Sequence, residues 1–341
     1  MTAPAKIKFL AGLTALATLA CSPLACSSPP SESSDPVHHE IAAQLDPKAG
    51  TITASDRLIL PPGRSDWTLT LHAGLNPKVS AGEATLQPLG RHEHHERFRL
   101  RATGSGPVTL TYSGTIRHGL EDIPESLGRA HQQTRGTIGE DGVFLDGFSG
   151  WYPTVGEGLH TFSLSVTVPQ GWLAVSQGAG PDAPADAAPG GDAKPGEVRV
   201  SWREDQPQDE IYLVAAPFTL YRRATPVAEA QIYLRRPDPA LAERYLEATG
   251  TYLDLYSKLI GPYPYPKFAL VENFWESGYG MPSFTLLGPQ VIRLPFIIDT
   301  SYPHEVLHNW WGNGVYVDYA SGNWSEGLTA YLADHLLAER R

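Results

Sequence analysis

Between residues 38 and about 225, apolar and polar positions alternate in short runs. Runs at 51–54, 67–71, 98–101, 108–112 and 162–168 each send every second side chain to one face. Gly or Pro bounds each of them, so they read as half-buried antiparallel strands of a β-sandwich-like domain. The stretch 178–196 is rich in Ala, Pro, Gly and Asp and reads as a loop. His92, Glu93, His94, His95 and Glu96 fall between two strand runs without helical spacing and read as a solvated turn.

Near residue 226 the period changes. Asp238 and Pro239 read as the N-cap and first residue of a helix. Leu241, Tyr245, Ala248, Tyr252, Leu255 and Leu259 follow at helical spacing, and Gly261 and Pro262 end the run. The tyrosines of this stripe read as core. Strands are predicted at 268–271 and 284–287, a helix at about 303–313 and another at about 325–340. The chain is therefore expected to be α+β: a β-rich domain over 38–225, then mixed strands and helices over 226–341.

The N-terminus changes the picture of compartment. Lys6 and Lys8 precede an apolar run at 9–20, which is too short to span a bilayer as a helix. Cys21 and Cys26 follow, each after Leu-Ala, and then a Ser/Pro-rich tract. Residues 1–26 resemble a bacterial lipoprotein signal, with 27–37 as a tether. That pattern implies export and membrane anchoring through a lipidated Cys21; a plain secretory signal is the alternative. The chain has 2 Cys, both in this segment, so the fold uses no disulfide. A net charge of −11 offers no basic footprint for nucleic acid. Nothing in the sequence sets an oligomeric state.

The chemistry lies near the end of the chain. His304 and His308 are four apart, so on a helix they share a face, one turn above the other. Two imidazoles in that register can reach one zinc ion. Glu305 sits about 100° round the helix, placed to take a proton from water rather than to bind the metal. Composition predicts roughly 0.02 chance matches to this pattern in a chain of this length. A third ligand must come from downstream. Trp311 and Gly314 exclude the metzincin pattern, which needs Gly and His there. Asp318 lies in an extended stretch, and Asp334 and Glu339 lie further along the last helix. Glu326 opens that helix between the small residues Ser325 and Gly327 and is the choice. Two His and one Glu leave a fourth position open, the pattern of a catalytic site.

The run His304-Glu305-Val306-Leu307-His308-Asn309-Trp310-Trp311-Gly312-Asn313, followed by Trp324-Ser325-Glu326-Gly327, resembles the gluzincin metallopeptidases. The likeness is to the membrane alanyl aminopeptidase and leukotriene hydrolase family, with one residue fewer between His308 and Glu326 than usual. Gly278, Tyr279, Gly280, Met281, Pro282 and Ser283 stand where that family has a Gly-x-Met-Glu-Asn strand. Residues 39–47 and 150–153 look like landmarks of its N-terminal β domain. The resemblance implies a thermolysin-like catalytic fold and one zinc held by His304, His308 and Glu326. It also implies Glu305 as general base and a peptide substrate lying along Gly278, Tyr279, Gly280 and Met281.

Three departures matter. Pro282 replaces the Glu that holds the substrate's α-ammonium in the family. No acid or amide is evident around 147–151 to assist; Glu272 and Glu276 are candidate substitutes, with strand-edge acids as the plainer reading. Only Tyr331 follows Glu326, on the same helix, where the family places an oxyanion-stabilising tyrosine far downstream. The chain thus reads as truncated at its C-terminal end, with Leu328, Leu332 and Leu336 expected to be exposed. The expected activity is zinc-dependent peptide hydrolysis, aminopeptidase-like. Endopeptidase action, epoxide hydrolysis, or an impaired or non-catalytic zinc-binding lipoprotein are the alternatives.

Overall fold

The computed structural model describes residues 35–122, 132–156, 158–181, 195–318 and 322–340. Cys21, Cys26 and the expected signal therefore lie outside the described residues, as does most of the expected loop at 178–196.

The β-rich part is built mainly on a six-stranded sheet. Its strands run Glu197–Gln208, His160–Pro169, Val37–Asp46, Thr51–Ile59, Val108–Thr115 and Lys78–Ala81 across the sheet. Burial alternates along Val37–Asp46 and Thr51–Ile59, as the sequence pattern requires of strands with one dry face. A four-stranded sheet carrying Asp66–His72 and His95–Ala102 supplies Leu69, Leu71, Phe98 and Leu100 to the same core. One expectation is corrected. Val37–Asp46 pairs parallel to His160–Pro169, so the strands are not all antiparallel. The long stretch between those two strands makes this possible, because parallel neighbours need a crossover of a dozen or more residues.

A five-stranded sheet follows, in the order Thr219–Ala224, Glu229–Leu234, Lys267–Glu272, Phe284–Leu287, Gly278–Met281. The three central strands are parallel and the two edge strands antiparallel. Lys267–Glu272 and Phe284–Leu287 are buried throughout, as central parallel strands should be. Helix α1 (Pro239–Leu259) crosses between Glu229–Leu234 and Lys267–Glu272. It starts where predicted, with the Asp238 carboxylate accepting from Leu241 N at 3.0 Å and Pro239 in the first turn. Its stripe is core: Tyr245 meets Tyr302 edge to face at 4.9 Å, and Tyr256 meets Trp310 at 6.1 Å. Leu259 departs from the expected stripe and is 45% exposed, because the buried face ends at Tyr256. No helix among the described residues is long and apolar enough to cross a membrane.

Helix α2 (Ser301–Leu307) is shorter than expected at its C-terminal end. The Asn309 amide donates to Val306 O at 3.0 Å and so takes a carbonyl that a continuing helix would use. Gly312, at φ +106, then turns the chain back. His308 is the C-cap but keeps helical angles. Helix α3 (Trp324–Ala330) runs on through a π-turn at Tyr331–His335 into Leu336–Glu339. Leu328 is exposed as expected; Leu332 instead packs against the core cluster that includes Tyr256.

Candidate metal centre and cleft

Helix α2 has two sides. Tyr302, Val306 and Leu307 are fully buried in the core and fix the helix against α1 and the sheet. His304, Glu305 and His308 face a cleft of ≈ 700 Å³ instead. That volume lies in the range of small-molecule and peptide pockets. Glu326, in the first turn of α3, reaches the same cleft.

The three expected ligands converge. His304 Nε2 and His308 Nε2 are 3.2 Å apart. The Glu326 carboxylate lies 3.5 Å from each of them, through Oε2 and Oε1 respectively. Tetrahedral zinc with bonds of 2.0–2.1 Å separates its ligands by about 3.3 Å, so this triangle fits the ion. Among the described residues it is the one cluster of His, Cys, Asp and Glu compact enough for a metal. His92–Glu96 forms none; Glu93 and His94 make the hairpin turn there, as expected. The turn is only partly solvated, since His94 packs on His118 and His95 Nε2 donates to Phe148 O at 2.7 Å.

The ring of His308 is oriented by the chain that follows it. Its Nδ1 donates to Trp311 O at 3.1 Å, which turns Nε2 toward His304 and Glu326, and Ser325 Oγ donates to the same carbonyl at 2.9 Å. The sequence did not name this carbonyl. Ser325 ties the turn after α2 to the segment bearing Glu326.

Gly278, Tyr279, Gly280 and Met281 line the cleft beside Glu305. Their strand is the sheet's edge and pairs on one side only, with Phe284–Leu287. Its free edge can therefore accept an extended peptide as a further strand.

The opposite wall comes from the β-rich part and was not legible as a site. Gln133, Asp146, Asp209, Glu210 and Tyr212 all line the cleft. Asp146 directly precedes the segment 147–151 in which no acid was evident. Its carboxylate caps Ser149 N at 2.8 Å, and Asp-Gly-x-Ser is the sequence signal that could have revealed it. Burial pushes the Asp146 carboxyl up to about 6. Burial, and then the neighbouring Asp146 and Asp209, push Glu210 up to about 7, against the Gly147 N–H that donates to it. No Lys or Arg is among the residues lining this cleft. Glu272 and Glu276 do not substitute here, since neither lines the cleft. Glu272 bonds Arg293 and Arg235 N, and Glu276 accepts from Gln290 N.

No family profile matches the sequence, and no curated protein sequence does. Solved structures do match in fold. Yeast LTA4 hydrolase aligns over 89% of this chain at 16% identity with a TM-score of 0.62. An M1 zinc metallopeptidase from Deinococcus radiodurans aligns over 89% at 17% identity with a TM-score of 0.61, covering 70% of that chain. A two-domain M1 zinc metallopeptidase solved as a mutant bound to L-arginine aligns over 89% at 16% identity, TM-score 0.61, also covering 70% of that chain. The chain spans 48% of the length of the yeast enzyme. Over the aligned residues this chain has the fold of LTA4 hydrolase and the M1 zinc metallopeptidases, a β-rich part followed by part of a thermolysin-like catalytic domain.

Proposed function

We propose that this chain is a zinc-dependent peptidase acting on peptides with a free N-terminal ammonium. The observation that carries the reading is the His304–His308–Glu326 triangle beside Glu305, at an open strand edge in one cleft. His304, His308 and Glu326 would hold the ion. When bound, zinc supplies Lewis acidity, polarising a carbonyl and acidifying water. Glu305 accepts the proton of the attacking water as the C–O bond forms, then delivers it to the nitrogen as the C–N bond breaks. The edge strand Gly278–Met281 orients the substrate backbone.

The acidic wall supports the aminopeptidase-like part of the reading. Asp146, Asp209 and Glu210 bring negative charge to a cleft without Lys or Arg, where Pro282 has none to offer. One neighbour in fold was solved with L-arginine, a ligand with a free α-ammonium. Zinc analysis, together with mass-spectrometric mapping of products from a peptide library, tests the whole. The expected result is one zinc per chain and products shortened at the N-terminus. Internal cuts would assign endopeptidase action instead. Zinc binding without cleavage would assign a binding protein. Glu305→Gln should keep the zinc and lose turnover by about 10²–10⁴-fold; unchanged turnover removes Glu305 from its role.

We also propose export and anchoring through Cys21, on the sequence pattern alone. A mature N-terminus without lipid in the membrane fraction would count against it.

A further inference from the structure

Lys267 opens the central strand Lys267–Glu272 and is 2% exposed. Burying an ammonium is unfavourable unless every N–H finds a partner. Lys267 has three: Ser176 O at 2.9 Å, Ser283 Oγ at 2.8 Å and Ser283 O at 3.1 Å. Its charge also lies over the rings of Trp202 and Phe284, at 5.1 and 5.2 Å.

Two of those bonds go to a single turn residue. Ser283 joins the edge strand Gly278–Met281 to Phe284–Leu287; it is fully buried and sits at φ +64, a conformation unfavourable for a side-chain-bearing residue. Its N–H donates to Asn309 Oδ1 at 2.7 Å, and its Oγ accepts from Gly178 N at 3.1 Å. Asn309 follows His308 and is tied back into α2 through Val306 O. The turn is thus fixed at once by the central strand, by the β-rich part and by the end of the metal helix. Three residues before it, Gly280 packs directly against Glu305 and His308.

We propose that Lys267 is a positioning residue for the cleft: through Ser283 it sets the edge strand Gly278–Met281 in register against Glu305 and His308. The proposal rests on the peptidase reading and names the residue that aligns its substrate strand. A purely stabilising role for the network is separable from it. Ser283→Gly removes the Oγ acceptor while relaxing the backbone, because glycine favours positive φ. Its Tm should fall by no more than a few degrees, because relief of the positive φ offsets part of the loss of the acceptor for Lys267 and Gly178. Its zinc content should be unchanged, yet amide exchange along Gly278–Met281 should accelerate and KM should rise about tenfold. Lys267→Met should move the same readouts further, with kcat/KM lower by about tenfold to a hundredfold. If Lys267→Met does not fold, Ser283→Gly carries the test. Unchanged exchange along Gly278–Met281 in Ser283→Gly overturns the positioning role, as does faster exchange spread evenly over the whole chain. A wild-type chain that cleaves no peptide defeats the peptidase reading instead, and the exchange measurement still decides the role of Lys267.

Discussion

Gly280 and Glu305 are in contact through a space that only glycine leaves open. A methyl group at Gly280 would lie 2.6 Å from Glu305 Oε2 and 3.0 Å from Cδ2 of His308. The edge strand therefore comes as close to Glu305 as its backbone allows. Gly280→Ala should push the carboxylate from its place, with kcat reduced on the order of 10²-fold. Zinc content measured on the same sample should fall far less. A variant with wild-type kcat would show that Glu305 needs no such fixed position.

The triangle of His304, His308 and Glu326 leads to a prediction that needs no turnover. An ion that binds only the folded state raises stability by about 2.7 kcal/mol when present at 100 times its Kd. For a chain of this size that is a rise in Tm of about 5 °C. Zinc added to chelator-treated protein should produce such a rise. Glu326→Ala should largely abolish it, because two ligands remain where three converge. An equal rise in Glu326→Ala would place the third ligand elsewhere.

The parts that could be read from the sequence are those where one short periodicity governs burial. Alternation located the half-buried strands, and the four-residue step between His304 and His308 located the helix that carries both rings into the cleft. The end of that helix was misplaced because Trp310 and Trp311 continue its apolar pattern. What stops it is the Asn309 amide bonding Val306 O and the turn at Gly312, and neither alters hydropathy. The acidic wall was hidden for a different reason. Gln133, Asp146 and Glu210 come from separate segments that only the sheets bring together, so no spacing along the chain relates them. Lys267 was hidden because a lysine at the start of a strand reads as solvated, whereas here its three acceptors belong to Ser176 and Ser283, two residues remote from it in sequence.

Asp238 offers a control remote from the chemistry. Its carboxylate satisfies an N–H that the start of α1 leaves free, at 3.0 Å. Asp238→Ala should cost about 1 kcal/mol and lower Tm by about 2 °C. Zinc content and product pattern should not change, since Asp238 does not line the cleft that holds His304, Glu305 and His308. A loss of zinc in this variant would mean that α1 governs the metal helix more tightly than their packing at Tyr245 and Tyr302 suggests.

Glu210 sets stability and binding against each other. Burial raises its carboxyl from 4.5 to about 7, so the folded chain holds that proton more tightly than the unfolded chain does. The stability this contributes is complete below the unfolded value near 4.5 and is lost as pH rises through about 7. Glu210→Gln keeps an acceptor for Gly147 N and removes the buried charge. It should therefore raise Tm by a few degrees at pH 8 and change it little near pH 4. Recognition of an ammonium runs the other way, since only the ionised carboxylate attracts it. For substrates with a free N-terminus, KM should fall as pH rises from 6 to 8 and Glu210 ionises. Asp146, raised to about 6, completes its ionisation earlier in the same window. Glu210→Gln should flatten that dependence and raise KM at pH 8, while N-acetylated peptides should show neither effect. If instead the variant is less stable at pH 8 and binds free N-termini as well as before, Glu210 serves to hold the Gly147–Ser149 turn in place.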